Sequence, residues 1–121
     1  LVGMSYTSVV CQKAAEQLAE IGIDAEVIDM MSLSPFDEDI LIESVAKTNN
    51  VVIVDEDTPR ASMSSEFAAI IADKAFDHLD APVKRVTSPH SPVPYNSALE
   101  QAFMPQPADV VGTVKNLLGR E

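Results

Sequence analysis

The spacing of apolar residues along this chain changes several times, and each change marks a structural element. In SVVCQKAAEQLAEIG, Val10, Ala14, Leu18 and Ile21 recur at steps of three or four, while Gln12, Lys13, Glu16, Gln17 and Glu20 fill the other face. This is the period of a helix with one buried side, and Gly22 follows as a residue that accepts a left-handed stop. AEVIDMM at 25–31 has no helical period and reads as a strand. SLSPFDEDILIESVAKTNN opens on Ser34, Pro35 and Asp37, carries apolar Ile40, Leu41 and Val45, and closes on Asn49 or Asn50. Those are the start and stop signals of a second helix. VVIV at 51–54 is apolar without interruption, as a strand covered on both faces must be. SSEFAAIIADKAFDHL sets Phe67, Ile70, Ile71, Ala75 and Leu79 on one stripe and predicts a third helix over 64–79. APVKRVTS predicts a further strand, and DVVGTVKNLL, with Val110, Val111, Val114, Leu117 and Leu118, a closing helix.

Strands separated by helices of this length pair in parallel, because the right-handed crossover between them takes about a dozen residues. The predicted fold is therefore α/β, a three-layer α/β/α sandwich around an open, mostly parallel sheet. In such sheets the binding crevice lies at the carboxyl ends of the strands, where strand order reverses. Four loops reach that edge: MSYTS (4–8), MSLSPF (31–36), DEDTPRASM (55–63) and SPHSPVPYN (88–96). The last is stiffened by Pro89, Pro92 and Pro94, each with its φ fixed by the ring.

The chain of 121 residues fits a single domain over 1–121, large enough to bury about two thirds of its unfolded surface. It opens without Met on LVGMS, text that reads as the end of a buried strand, and the expectation is a fragment of a longer polypeptide. The single cysteine, Cys11, permits no intrachain disulfide and no paired-cysteine metal motif. That usage suits a reducing compartment, the bacterial cytoplasm or an organelle matrix. Eight Lys and Arg against nineteen Asp and Glu give a formal charge of −11. Such a charge repels nucleic acid and anionic membranes and favours basic partners. No apolar run approaches the roughly 18 residues of a membrane span.

Candidate chemistry is sparse. Asp55, Glu56 and Asp57 could ligate a hard cation, but such a site draws ligands from separate segments, and adjacent residues read more simply as solvated charge near Arg60. A receiver-type Mg²⁺ pocket would need an acidic pair where Ser5 and Tyr6 stand, and a lysine where Pro89 and His90 stand. The four glycines form no dinucleotide-binding turn. Ser5, Thr7 and Ser8 could face an anion from a helix start, although capping of that helix explains them as well. Cys11 fits a small buried hydrophobe, and His78 a helix-end cation. His90, in the stiff loop, can donate or accept a hydrogen bond near neutral pH.

VIDMMSLSPFD, LDAPVKRVTSPHSPVPY and MPQPADVVGTVKNLL, in this order and at these intervals, resemble the C-terminal, transketolase-type domain of the beta subunit of thiamine-diphosphate-dependent 2-oxo acid dehydrogenases. The resemblance covers about Leu1 to Leu118. Where many of those subunits carry a glycine-rich segment after the third strand, this chain has PRASMSSE, which looks like the acetoin dehydrogenase branch. The resemblance implies that thiamine diphosphate and Mg²⁺ are bound outside this chain, between an alpha subunit or alpha-like domain and the N-terminal domain of the beta subunit. It assigns no catalytic, cofactor or metal residue here. It implies instead contact with a second beta subunit and docking of the basic subunit-binding domain of the lipoyl acyltransferase. The matching docking positions are Asp77 and Asp80, with Leu117, Leu118 and Glu121. Glu56, Arg60, His90 and Tyr95 are candidates for an interface at the strand-end loops.

Two alternatives stand beside this reading. One is a stand-alone flavodoxin-like module that takes an anionic or nucleotide ligand through Ser5, Thr7, Arg60 and His90. The other is the C-terminal domain of a transketolase or a 1-deoxyxylulose-phosphate synthase, which shares the fold but not the proline-histidine text.

Overall fold

In a computed structural model, which describes residues 1–119, the chain alternates strands and helices. The elements are β1 (Val2–Gly3), α1 (Tyr6–Glu20), β2 (Ile28–Asp29), α2 (Glu38–Thr48), β3 (Val52–Asp55), α3 (Met63–Lys74), a 3₁₀ turn (Phe76–His78), β4 (Lys84–Thr87), α4 (Ser97–Phe103) and α5 (Pro107–Leu117). The strands pair in the order β2-β1-β3-β4, every pair parallel. β3, buried along its whole length, is one of the two inner strands. Its side chains alternate between two cores. Val51 and Ile53 join Leu41, Val45, Phe67 and Ile71 beneath α2 and α3. Val52 and Val54 join Val10, Cys11, Leu18 and Val110 beneath α1 and α5. The three layers follow from that alternation.

The helix ends obey local chemistry. Gly22 at φ 78° and the Ile23 amide bonded to the Leu18 carbonyl at 2.9 Å close α1. This left-handed turn sends Ile23 into the core and leaves Ile21 half exposed, reversing the expectation for Ile21. α2 starts at Glu38 rather than Ser34, because the Asp37 carboxylate accepts from the Ile40 amide at 3.2 Å. Leu41 and Val45 then face inward and Ile40 outward. Asn49 ends the helix at φ 63°, as its sequence position suggests.

The predicted third helix is shorter than its periodicity implies, stopping at Lys74. The side-chain amide of Asn49 donates to the His78 carbonyl at 2.8 Å, and the Asp80 amide donates to the Asn49 carbonyl at 2.9 Å. Those two bonds hold 76–80 against the end of α2 and out of helical register, leaving Phe76 exposed. β2 is likewise only two residues long, an edge strand with a single neighbour. Ser88, where β4 gives way to Pro89, is fully buried with no hydrogen-bond partner for its hydroxyl among the described residues. An unpaired hydroxyl of this kind costs about 1–3 kcal/mol.

Gly3 marks the tightest approach between sheet and helix. A Cβ there would lie 2.7 Å from the Ser8 backbone nitrogen and Cα. Gly3→Ala should therefore lower stability by about 2–3 kcal/mol in urea unfolding, the cost of forcing atoms into a packed interior. Burial also pushes the Cys11 thiol up from 9.0 to about 11. The unfolded chain loses this proton first, so the thiol's contribution to stability is full below pH 9 and fades as pH rises through about 11. Melting temperatures across that window should fall more steeply for the native chain than for Cys11→Ala.

Candidate functional site

Strand order reverses between β1 and β3, since the chain moves from β1 outward to β2 and then returns to the far side of β1. The carboxyl ends of these two strands open into a cleft of about 490 Å³. Met4 and Ser5 line it from the end of β1, Leu33 from the loop after β2, and Asp55, Glu56 and Asp57 from the end of β3. Val93 of the proline loop and Glu100, Phe103 and Met104 of the α4 segment complete it, with Met63 from the start of α3. All four predicted loop regions thus meet the same edge and line the cleft beside α4.

Asp55 organises the edge. It is the last residue of a strand buried on both faces, and is itself only 6% exposed. One carboxylate oxygen accepts from the Ser64 amide at 3.1 Å, in the first turn of α3, and the other from the Asp57 amide at 3.1 Å. A buried carboxylate that takes one of its two hydrogen bonds from a helix's first turn is well placed, because the N-terminal end of a helix carries partial positive charge. Both oxygens are committed to backbone, so Asp55 acts as a support. Arg85 braces the same loop from β4, its guanidinium donating to the Pro59 carbonyl and to the Ser65 hydroxyl, both at 2.9 Å. His90 Nδ1 lies 2.6 Å from the Thr58 hydroxyl and ties the proline loop to the loop after β3. Sequence reading assigned Asp55 to solvated charge and passed over Arg85 and Thr58. An acidic residue ending an apolar strand just before a serine-rich helix start was the available signal for Asp55.

The other predicted residues fall into two groups on opposite edges. Glu56 is exposed in the cleft, Arg60 and Tyr95 are exposed in the strand-end loops, and Tyr95 has no cover at all. Asp77 and Asp80 are exposed at the other edge, in and just after the 3₁₀ turn rather than in α3. Asp80 bonds to Asn49, and the next residue, Asn50, lines a small pocket of about 120 Å³ together with Leu117 and Leu118. Asp77 and Asp80 do not line that pocket, and they follow α3 on one side of the sheet while the two leucines end α5 on the other. Glu121 lies outside the described residues. Near this edge Lys47 binds Glu26 at 2.5 Å, holding the Glu26 carboxyl below and the Lys47 ammonium above their usual ranges.

The anion-binding alternative finds no support in this geometry. Thr7 is buried and spends its hydroxyl on Met4, accepting from its amide and donating to its carbonyl, both at 2.9 Å. Ser8 donates to the Asp29 carboxylate at 2.6 Å. Ser5 makes no side-chain cap, and no residue lining the cleft is basic. Four carboxylates there repel a phosphate. Among the described residues no group of three or more His, Cys, Asp or Glu is placed to hold a metal ion, and no helix is long and apolar enough to cross a membrane.

Comparison with known proteins decides the family. The profile of the transketolase C-terminal domain matches residues 1–110. The chain belongs to the transketolase C-terminal domain family. This transketolase C-terminal domain is 51% identical over 107 residues to the beta subunit of the acetoin:2,6-dichlorophenolindophenol oxidoreductase of Bacillus subtilis, covering 88% of the chain and 31% of that subunit. It is 38% identical over 120 residues to the mitochondrial pyruvate dehydrogenase E1 component subunit beta of Dictyostelium discoideum, covering 99% of the chain and 34% of that subunit. It thus spans about a third of the length of these relatives. A solved structure described as a split gene transketolase, an inactive beta4 tetramer, superposes with a TM-score of 0.77 at 28% identity, over 98% of this chain and 38% of that one.

Asp55→Ala should destabilise the domain by about 2–3 kcal/mol, because it leaves two amides without a charged acceptor. Asp55→Asn, which keeps an acceptor oxygen, should cost less. Urea unfolding of both variants measures the difference, and equal losses would show that a neutral acceptor oxygen recovers nothing and that the charged carboxylate accounts for the whole effect.

Proposed function

We propose that this chain is the C-terminal assembly domain of the beta subunit of a thiamine-diphosphate-dependent dehydrogenase of acetoin or pyruvate type. The whole enzyme decarboxylates or cleaves its substrate on the cofactor and passes the acyl group to lipoyl-lysine in the cytoplasm or an organelle matrix. The observation that carries this reading is the likeness to beta subunits of both kinds across nearly the full chain, at 51% and 38% identity. The polar PRASMSSE segment favours the acetoin branch.

The residues of this chain do not fit thiamine diphosphate or its Mg²⁺. The strand-end cleft offers carboxylates to a diphosphate, and its one deeply buried carboxylate is engaged by backbone amides. Cofactor and metal are accordingly assigned to other domains of the enzyme, and the role left to this one is association. Val93, Tyr95 and Leu99 stand exposed along the strand-end edge, an apolar surface suited to a neighbouring subunit. The second beta subunit and the alpha subunit are the partners assigned to it. At the opposite edge Asp77 and Asp80 would present acidic groups, and Leu117 and Leu118 apolar ones, to the basic subunit-binding domain of the acyltransferase, with attraction that weakens as salt rises.

Calorimetry of the chain with that isolated subunit-binding domain, at low and at physiological salt, tests the assignment. Binding should weaken with salt and fall about three- to tenfold in the Asp77→Ala, Asp80→Ala double variant. Absence of binding by a chain shown to be folded would overturn docking at this edge.

A further inference from the structure

The strand-end cleft combines apolar walls with an acidic lining. Methionine supplies much of the wall through Met4, Met63 and Met104, a flexible side chain that adapts to varied shapes. Glu56, Asp57 and Glu100 come from two separate segments, none is in an ion pair among the described residues, and all three are exposed. From these features we infer that the cleft receives a segment of the facing subunit in which a lysine or arginine stands between apolar residues. This deepens the assembly reading and rests on it. A basic side chain of that kind lays its aliphatic stem along an apolar wall and carries its charge to the carboxylates at the end. Arginine in particular is enriched where interfaces are buried.

A second copy of this chain is a poor occupant. Each copy carries a formal charge of −11, so two copies repel one another, and three of its seven described Lys and Arg are engaged within the fold. Lys47 and Lys74 are paired with Glu26 and Glu38, and Arg85 holds the loop after β3. The net charge therefore favours a cation from a different polypeptide surface. Asp55 below the cleft fixes the loop that carries Glu56 and Asp57, so the acidic lining is pre-organised before a partner arrives.

Fluorescence anisotropy with a short blocked peptide alternating leucine and arginine, and with its glutamine counterpart, tests the inference on the 121-residue chain. The arginine peptide should bind and the glutamine peptide should not. The triple variant Glu56→Gln, Asp57→Asn, Glu100→Gln should weaken binding about fivefold or more, as loss of three exposed charge contacts implies. Glu16→Gln, Glu20→Gln, Asp73→Asn removes the same charge from the far edge and should change binding less than about twofold. Equal weakening by the two triples would overturn the inference in favour of diffuse attraction to an acidic chain. Self-association in sedimentation, lost in the cleft triple, would overturn it in favour of a second copy. Circular dichroism confirms that each variant is folded. A folded chain that binds the subunit-binding domain but not the arginine peptide loses the cleft inference alone; one that binds the peptide but not that domain loses only the docking at the opposite edge.

Discussion

A strand covered on both faces has to end somewhere, and the way β3 ends governs the functional edge of this domain. Val51 to Val54 are apolar because helices cover both sides of the sheet, but Asp55, next in line, is a buried carboxylate. Its charge is tolerable because α3 begins where the Ser64 amide can reach one oxygen and the Asp57 amide of the loop reaches the other. That requirement sets the path of residues 56–63, and the path in turn sets which side chains face the cleft. Arg85 from β4 and His90 from the proline loop brace the same loop from the side. The proline stretch at 88–96 is thus held by its neighbours as well as stiffened by its own rings, and it carries Val93 to the cleft and Tyr95 into solvent.

The result is a domain whose two edges have different chemistry. The carboxyl edge offers a cleft with methionine walls and carboxylates, beside exposed apolar side chains. The amino edge carries the exposed Asp77 and Asp80 after α3 and, on the α5 side of the sheet, a small pocket lined by Leu117 and Leu118. Among the described residues no group of three or more His, Cys, Asp or Glu is placed to hold a metal ion, and Cys11 is buried, with burial raising the pKa of its thiol. In the proposed recognition role, charge on such a surface would steer the approach and apolar contact would sustain it.

Much of this was legible in the sequence because the deciding signals were local. The uninterrupted VVIV announced a doubly covered strand, and Gly22 and Asn49 announced left-handed helix ends. The four strand-end loops followed from the order of elements alone. What escaped was long-range. Nothing near Lys74 in sequence shows that Asn49, on another helix, will bond to residues 78 and 80 and cut the third helix short. Ile21 and Ile40 fit the helical period and still face outward, because the cap residues beside them shift the register. Asp55 looked like one of three solvated acids, since its partner amides lie up to nine residues away along the chain.

The central claim is that the carboxyl edge is an assembly surface. Hydrogen exchange, measured on the free chain and on the same domain within the proposed dehydrogenase assembly, tests it most directly. The account predicts that residues 89–104 and the loop at 56–63 become strongly protected in the assembly, while the outer face of α1 exchanges equally in both. Unchanged exchange along 56–63 and 89–104 would contradict it, and would leave this edge facing solvent in the working enzyme.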